Sequence, residues 1–292
     1  MSIRTAPALF FPLLAALFSA GAVSAQAPST RDVTDRYLEL TFSQRYDDLL
    51  DVYAPDAVFH DPTGDVFNGP VAQGPIVGAE RIVAVQKGWG LAETEFDIDT
   101  SFTVGEYSLY RGTLNTRYRG SSAWTAFPFL TVLRVVDGRV LERTDFGEYV
   151  TAFGLAPRFA DATRATKDVA DRYLRAYLDG DVDAQVALAS ADVMFQDPTS
   201  QVYGPPSGEL YEGVAVLEER RRQVFENVQD FDLQVTESFA QNHHAVYMGT
   251  TSYTLSSGHR FAQPAVFVIE VREGAVTRQW DFVDYSVGPL EP

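Results

Sequence analysis

The sequence predicts two tandem α+β domains, each a cone in which a curved antiparallel sheet is covered by about three N-terminal helices. The main observation is a repeat: residues 30–38, TRDVTDRYL, return as residues 166–174, TKDVADRYL, an offset of 166 − 30 = 136. The same offset relates Asp61-Pro62-Thr63 to Asp197-Pro198-Thr199. Solenoid and propeller repeats are only a few tens of residues long. The chain therefore contains two copies of one domain.

In each copy the predicted helices precede the strands, which favours an α+β fold over an alternating α/β fold. Thr30 and Thr166 are the predicted N-caps of the first helices. Asp32 and Asp168 follow in the first turn, where negative charge suits the helix dipole. A second short helix, a brief strand and a third helix are predicted at 46–53, 58–61 and after Gly78, and in copy two at 182–189, 193–197 and after Gly213.

Runs of alternating aromatic and β-branched residues fill the rest of each copy and predict long antiparallel strands. Asp137-Gly138 and Glu273-Gly274 predict tight hairpin turns between them. Pro128 and Pro264 fall inside strands and predict a bulge or an edge position. The strands lie near 96–104, 107–118, 123–136 and 140–149, and in copy two near 231–239, 245–255, 260–272 and 275–285.

The repeat sets the domain limits, and the residues before it predict export. Domain 1 spans residues 30–153, a linker spans 154–165 and domain 2 spans 166–288. Residues 1–25 are typical of a signal peptide, with a basic residue, an apolar stretch and small side chains before the expected cleavage point. The apolar stretch is too short to span a bilayer. We expect a periplasmic or secreted protein free of the membrane after cleavage; an uncleaved membrane anchor is the alternative.

The charge and the cysteine count exclude several classes of function. The formal net charge is −17, which argues against nucleic acid and anionic membranes, since both are bound through clustered Lys and Arg. The chain has no cysteine, which excludes disulfides, a thiol nucleophile and thiolate–metal sites. Its four histidines show no zinc-ligand spacing, and no phosphate-binding glycine loop is present. We expect no metal and no cofactor, and an apolar small molecule as the partner.

One pair of residues in each copy has the chemistry for proton transfer. Tyr37 and Asp61 are 61 − 37 = 24 positions apart, as are Tyr173 and Asp197. Strand alternation directs each aspartate into an aromatic cavity, where loss of hydration raises the pKa of a carboxyl toward a value useful for a general base. A phenol beside it can stabilise a developing oxyanion. The residues expected to contact a ligand are Phe59, Trp124, Phe129 and Thr131 in copy one and Phe195, Phe261 and Phe267 in copy two.

These motifs carry a resemblance to a known superfamily. The order of motifs in each copy resembles the nuclear transport factor 2-like superfamily, in its ketosteroid isomerase and SnoaL-like polyketide cyclase branch. This order is Arg-Tyr-Leu, a short helix, Val-Phe-X-Asp-Pro (in copy one), a Gly before a helix, and a long sheet. The resemblance implies an aspartate base at Asp61 and Asp197 and a tyrosine donor at Tyr37 and Tyr173. It covers nearly all of each copy, although only the tyrosine and the Asp-Pro pair are specific.

The resemblance also implies three further features. The family's second oxyanion donor corresponds to Thr131 in copy one and Phe267 in copy two. The Thr131 hydroxyl is a weak donor and Phe267 has no donor group, so we expect poor isomerisation of steroids. Asp145 and Asp281 fall where the cyclases carry an acid–base aspartate, with contacts at the sheet end as the alternative. Relatives usually pair through the open faces of their sheets, so we expect the two copies to form an intramolecular pseudo-dimer.

Three functions stay open on the sequence alone. The first is an isomerase, cyclase or dehydratase that moves a proton on an apolar carbonyl compound. The second is a ligand-binding module without chemistry, and the third is a protein-interaction module. For Asp61 and Asp197 the alternative role is to cap the turn that the proline begins. For Tyr37 and Tyr173 it is packing in the core.

Overall fold

The computed structural model describes residues 28–67, 69–204 and 207–290. The predicted signal peptide, residues 1–25, lies outside the described residues. The rest forms two tandem α+β domains, each a six-stranded sheet with its helices mainly on the N-terminal side, which confirms the predicted fold class. No helix in the described ranges is long and apolar enough to cross a membrane.

Domain 1 begins with helices and ends with four long strands. Its strands are ordered β2-β1-β6-β5-β4-β3. The helices are α1 (Thr30–Phe42), α2 (Ala79–Gly88) and α3 (Tyr149–Ala152), with 3-10 helices at Tyr46–Asp51, Pro62–Val66 and Pro70–Gln73. The strands are β1 (Tyr53–His60), β2 (Ile76–Val77), β3 (Leu91–Val104), β4 (Tyr107–Tyr118), β5 (Trp124–Val136) and β6 (Arg139–Gly147).

Domain 2 repeats this topology, with the strand order β8-β7-β12-β11-β10-β9. Its helices are α4 (Ala156–Leu178), α5 (Val182–Ala187) and α6 (Val214–Asn227), with a 3-10 helix at Pro198–Tyr203. Its strands are β7 (Ala189–Gln196), β8 (Leu210–Glu212), β9 (Val228–Gln241), β10 (His244–Leu255), β11 (Arg260–Arg272) and β12 (Ala275–Val283). β1 pairs parallel to β6, and β7 parallel to β12, so the sheets are mixed and not wholly antiparallel.

The helix starts differ from the sequence expectation. The N-cap of α1 is Ser29, whose hydroxyl accepts from the backbone N–H of Asp32 while the Asp32 carboxylate accepts from the Ser29 N–H, a capping box. Thr166 is not an N-cap, because α4 already begins at Ala156 with Pro157 in its first turn. Most of the predicted linker, residues 154–165, is therefore helical and continues into the first helix of domain 2.

A glycine on the second long strand of each sheet permits a bulge in the first. A Cβ atom on Gly112 would lie 1.9 Å from the carbonyl oxygen of Asp97, and one on Gly249 2.0 Å from that of Gln234. The strand register shifts at these points. Bulges bend and twist a strand. They therefore help each sheet curve around its helices.

The two faces of each sheet have different partners. On β5, Leu133 and Val135 pack under the helices of domain 1, whereas Leu130 and Val132 face the other way and contact domain 2. The rings of Phe146 and Trp280 lie 6.0 Å apart across this contact. The shared cluster consists of Phe102, Val104, Leu109, Leu130, Val132 and Phe146 from domain 1 and Phe239, Val246, Met248, Val266, Val268, Trp280 and Phe282 from domain 2.

Candidate active site

A cavity of about 820 Å³ lies inside domain 1, between the helices and the concave face of the sheet. Most of its lining is apolar and aromatic, including Phe42, Trp89, Leu114, Phe127 and Phe129. Several polar side chains in it come from α1, the end of β1, β5, β6 and the residues just after β6. Six of them are Tyr37, Asp61, Thr131, Arg143, Asp145 and Tyr149; Thr41, Tyr46, Thr94, Thr116 and Tyr118 also line the cavity.

Asp61 is the carboxyl group at the turn between β1 and the Pro62–Val66 helix. Its Oδ1 accepts hydrogen bonds from the Thr63 hydroxyl and the Gly64 backbone N–H, each at 2.8 Å. Its Oδ2 accepts one from the Tyr149 hydroxyl at 2.8 Å. Burial, followed by the nearby Asp145 carboxylate, raises the pKa of Asp61 to about 7, although the three hydrogen bonds act in the opposite direction. Asp61 thus caps the turn and also faces the cavity.

The phenol that contacts Asp61 differs from the predicted one. It is Tyr149, which follows β6, and burial next to Asp61 raises the pKa of Tyr149 well above its ordinary value. Tyr37 lines the same cavity, but its hydroxyl accepts from the Tyr53 hydroxyl at 3.2 Å and from the Gln86 amide at 3.5 Å. Sequence spacing did not separate the two phenols. Tyr149 recurs as Tyr285 at the offset of 285 − 149 = 136, but Tyr37 recurs as Tyr173 at the same offset, so the repeat marks both phenols as candidates without choosing between them.

A second buried carboxylate, Asp145, is ion-paired in the cavity wall. Arg143, two residues earlier on β6, contacts both of its carboxylate oxygens, and the Thr131 hydroxyl donates to it at 2.7 Å. Arg143 and Asp145 are both almost fully buried. The structure therefore places Asp145 in the cavity. Thr131 also lines it, but its hydroxyl is used by Asp145.

Two of the aromatic residues expected to contact a ligand lie elsewhere. Phe59 is buried in the core under the Arg143 guanidinium, 4.6 Å from its ring centre, and is outside the cavity lining formed by the described residues. Trp124 is 43% exposed at the start of β5, with Arg117 over its ring at 5.9 Å. Strand alternation predicted the inward direction of the Phe59 side chain but not how far it lies from the cavity. Phe129 does line the cavity.

Domain 2 has a smaller cavity, about 580 Å³, with a related aspartate and tyrosine. Asp197 accepts from the Tyr285 hydroxyl at 2.5 Å, the Thr199 hydroxyl at 2.9 Å and the Ser200 N–H at 3.1 Å. Burial raises the pKa of Asp197 to about 6. The predicted ligand contacts Phe195, Phe261 and Phe267 all line this cavity. Tyr173 does not belong to its lining among the described residues; its hydroxyl donates to Gln279 at 2.9 Å.

The buried arginine of each cavity comes from a different element. Domain 1 has Arg143 on β6 and Gln86 on α2, whereas domain 2 has Gln279 on β12 and Arg221 on α6. Arg221 lies 4.0 Å from Asp281, and the Gln279 amide donates to that carboxylate at 2.6 Å. Phe267 replaces Thr131 and removes one donor. Burial raises the pKa of Asp281 to about 8, with Arg221 opposing this rise.

The site of domain 1 has the parts that proton transfer requires. A carboxyl with a pKa near 7 both accepts and returns protons at neutral pH. The Arg143–Asp145 pair supplies fixed charge in the wall, and the apolar lining keeps water from a bound molecule. Across the parts of the chain that the structure describes, no three His, Asp or Glu side chains lie close enough together to hold a metal ion.

The repeated fold, with a cavity in each domain, falls within a known protein family. The family model for the SnoaL-like domain matches the chain twice, at residues 34–143 and 170–279, so the chain belongs to this family. No curated protein matches it.

Three solved structures are similar to this chain. A protein provisionally named a SnoaL-like polyketide cyclase, from Shewanella putrefaciens CN-32, shares 20% identity over 44% of this chain and 94% of its own (TM-score 0.37). A nuclear transport factor 2-like protein from Burkholderia xenovorans LB400 shares 22% over 43% and 93% (TM-score 0.37). IdmH from Streptomyces antibioticus, also provisionally named a polyketide cyclase, shares 19% over 44% and 97% (TM-score 0.37).

Proposed function

We propose that domain 1 binds an apolar carbonyl compound and moves a proton on it, as an isomerase, cyclase or dehydratase. The observation that carries this proposal is a buried carboxyl, Asp61, with a pKa of about 7, facing an apolar cavity of about 820 Å³. Membership of the SnoaL-like family supports small-molecule binding. No metal or cofactor is part of the proposal.

In the proposed reaction Asp61 is the general base. Its carboxylate takes a proton from the carbon next to the carbonyl group, which leaves a neutral acid and an enolate. The same acid then returns the proton to another atom of the bound molecule. Tyr149 holds Asp61 in place through the hydrogen bond to Oδ2, and Tyr37 donates to the enolate oxygen. Tyr37 suits this role because its oxygen already accepts from Tyr53 and Gln86, which orients the ring.

Domain 1 is the better candidate for the working site. Its cavity is the larger one and contains Tyr37, whereas the equivalent Tyr173 is bonded to Gln279 away from the cavity of domain 2. The lining of the second cavity has additional polar side chains, including Arg220, Gln223 and Asn227. We propose that domain 2 has a secondary role.

The second candidate is ligand binding without chemistry. It is favoured by the bond from the Gly64 N–H to Asp61, because this bond shows that the carboxyl also stabilises the local turn. A residue kept for a turn does not need to take part in a reaction. The two candidates differ in what removal of the Asp61 charge does to turnover.

The test is turnover of a Δ5-3-ketosteroid and of a set of polyketide-like ketones. We expect Asp61→Asn to lower the rate about 10²–10⁴-fold, since that is the usual contribution of a general base, and the matched Asp197→Asn variant to stay near wild type. The wild-type rate should fall as the pH drops below about 7, because the base must be ionised. Equal turnover in wild type and Asp61→Asn would favour the binding function.

We also propose that the protein is exported and that its two domains form an intramolecular pseudo-dimer. Residues 1–25 support export, and mass spectrometry of the native protein would show a chain that starts after Ala25. The shared cluster supports the pseudo-dimer, because both sheets bury their outer faces in it.

A further inference from the structure

Gln241 is a domain 2 residue whose side chain is buried in contacts with domain 1. It is the last residue of β9, before the turn to β10, and none of its surface is exposed. Burying a primary amide costs free energy unless its groups are hydrogen-bonded. The partners of this amide therefore indicate what the residue does.

All the recorded partners of the Gln241 amide belong to domain 1. Its Oε1 accepts hydrogen bonds from the backbone N–H groups of Tyr149 and Val150, the latter at 2.9 Å. Its Nε2 donates to the backbone carbonyl of Thr63. One side chain thus joins the segment that follows Asp61 to the segment that carries Tyr149.

These two segments hold the proposed base. Thr63 is the residue whose hydroxyl donates to Asp61, and that hydroxyl also accepts from the Gly147 N–H at 2.8 Å. Tyr149 donates to the other oxygen of Asp61. Gln241 therefore contacts the backbone of both residues whose side chains position the carboxyl, without lining the cavity itself.

Domain 2 has no equivalent of this contact. The position in domain 1 that corresponds to Gln241 is Val104, because each is the last residue of its strand and pairs with the first residue of the next strand, His244 or Tyr107. Val104 is buried in the shared cluster, and its alkyl side chain can neither donate nor accept a hydrogen bond. The N–H of Tyr285 bonds instead to the Val283 carbonyl within domain 2, at 3.0 Å. Domain 2 thus contacts the segments around the site of domain 1, whereas domain 1, within the residues that the structure describes, makes no equivalent contact with domain 2.

We propose that Gln241 is a positioning residue for the site of domain 1, so that this site is complete only when domain 2 is docked against it. The inference rests on the proposed function of Asp61, but it concerns the geometry of the carboxyl and not the reaction. Loss of the amide frees the Thr63 and Tyr149 segments and lets water reach Asp61.

The test measures the pKa of Asp61 by carbon NMR of the labelled full-length chain, without any substrate. We expect Gln241→Met to lower the pKa of Asp61 toward its ordinary value, because burial is the main cause of the raised pKa. The pKa of Asp281 in the other cavity should not change. The readout is independent of turnover, so the inference and the proposed reaction can fail separately.

Asn242→Gly is the matched control. Asn242 makes another bond between the domains, from its amide to Asp65 at 2.9 Å, and its left-handed backbone (φ 47°) suits glycine. If Gln241→Met does not fold, Gln241→Asn replaces it, because an amide one methylene shorter cannot reach both segments. An Asp61 pKa that stays the same or rises, or that falls equally in Asn242→Gly, would overturn the inference.

Discussion

At the residue scale, burial and hydrogen bonding act in opposite directions on the carboxyl of Asp61. Burial and the charge of Asp145 favour its neutral form, whereas bonds from Thr63, Gly64 and Tyr149 favour the carboxylate. Burial has the larger effect, so the folded protein binds this proton more tightly than the unfolded chain. The same group that is suited to catalysis at neutral pH therefore lowers stability when it ionises.

This balance predicts a pH-dependent loss of stability. Between the unfolded pKa of about 4 and the folded pKa of about 7, the native state holds more protons than the unfolded state, so the free energy of unfolding falls as the pH rises. The fall amounts to at most about 4 kcal/mol over this window, at about 1.4 kcal/mol per pKa unit. Asp61→Asn should remove it, because an amide does not ionise.

Urea unfolding of wild type and Asp61→Asn at pH 4, 6 and 8 measures this effect. The variant should gain stability relative to wild type as the pH rises. Asparagine fits the site, since its oxygen accepts from Thr63 and Gly64 and its amide donates to the Tyr149 oxygen. A constant difference between the two proteins at all three pH values would contradict the prediction.

At the element scale, the two domains use different elements to place one arginine near the same carboxylate. Domain 1 supplies Arg143 from its last strand, and domain 2 supplies Arg221 from its third helix. In each domain a glutamine occupies the position where the other domain has its arginine. Gln86 on α2 corresponds to Arg221, and Gln279 on β12 corresponds to Arg143. In each domain one buried arginine lies beside this carboxylate, on a strand in domain 1 and on a helix in domain 2.

This exchange predicts a rescue. Arg143→Gln leaves Asp145 buried without its partner and should cost about 3–5 kcal/mol of the free energy of unfolding. Adding Gln86→Arg, which copies the arrangement of domain 2, should restore a large part of that loss. Chemical denaturation of the single and double variants at one pH tests it. A double variant no more stable than Arg143→Gln would show that the two elements are not interchangeable.

Element types and strand limits were predictable from the sequence because turn residues and alternation mark them locally. The Asp137-Gly138 turn, with both residues at positive φ, is an example. Pro128 shows the limit: β5 is central, yet its proline pairs regularly with Thr113 and lies just beyond the end of β6, so no bulge or edge is needed. Its position depends on where a neighbouring strand stops, which the local sequence does not report.

The candidate site was predictable only in part. The aspartates were recognisable because their Asp-Pro motif repeats, but the choice of phenol depends on which hydroxyl reaches across the cavity. Tyr37 and Tyr149 repeat equally well, and only the folded sheet brings Tyr149 to Asp61. The exchange of arginine and glutamine was not predictable either. Arg143 against Gln279, and Gln86 against Arg221, each look like an unrelated difference between the two copies when taken alone.

At the scale of the whole molecule, we expect the shared cluster to make the two domains depend on each other for stability. Its residues come from the outer faces of both sheets, and most are less than a tenth exposed. Apolar faces of this kind contribute about 25 cal/mol for each Å² removed from water. We therefore expect the full chain to unfold in one transition.

Val246→Asp tests this coupling. Val246 lies fully buried in the shared cluster, so an unpaired charge there should lower the free energy of unfolding by more than about 3 kcal/mol and separate the unfolding of the two domains. The control is Val235→Asp on β9, where 43% of the side chain is exposed and the change should be within about 0.5 kcal/mol. Circular dichroism and tryptophan fluorescence in a urea series distinguish the two. Equal stability of the variants would contradict the coupling.

The correspondence of Gln241 in domain 2 to Val104 in domain 1 has an evolutionary consequence. In an assembly of two identical subunits every substitution occurs twice, so a glutamine at the end of this strand would contact both sites or neither. Joining the halves in a single gene removes that constraint. If domain 1 performs the proposed reaction, one half of the chain contains the site and the other half supports it, an arrangement that two identical subunits cannot encode.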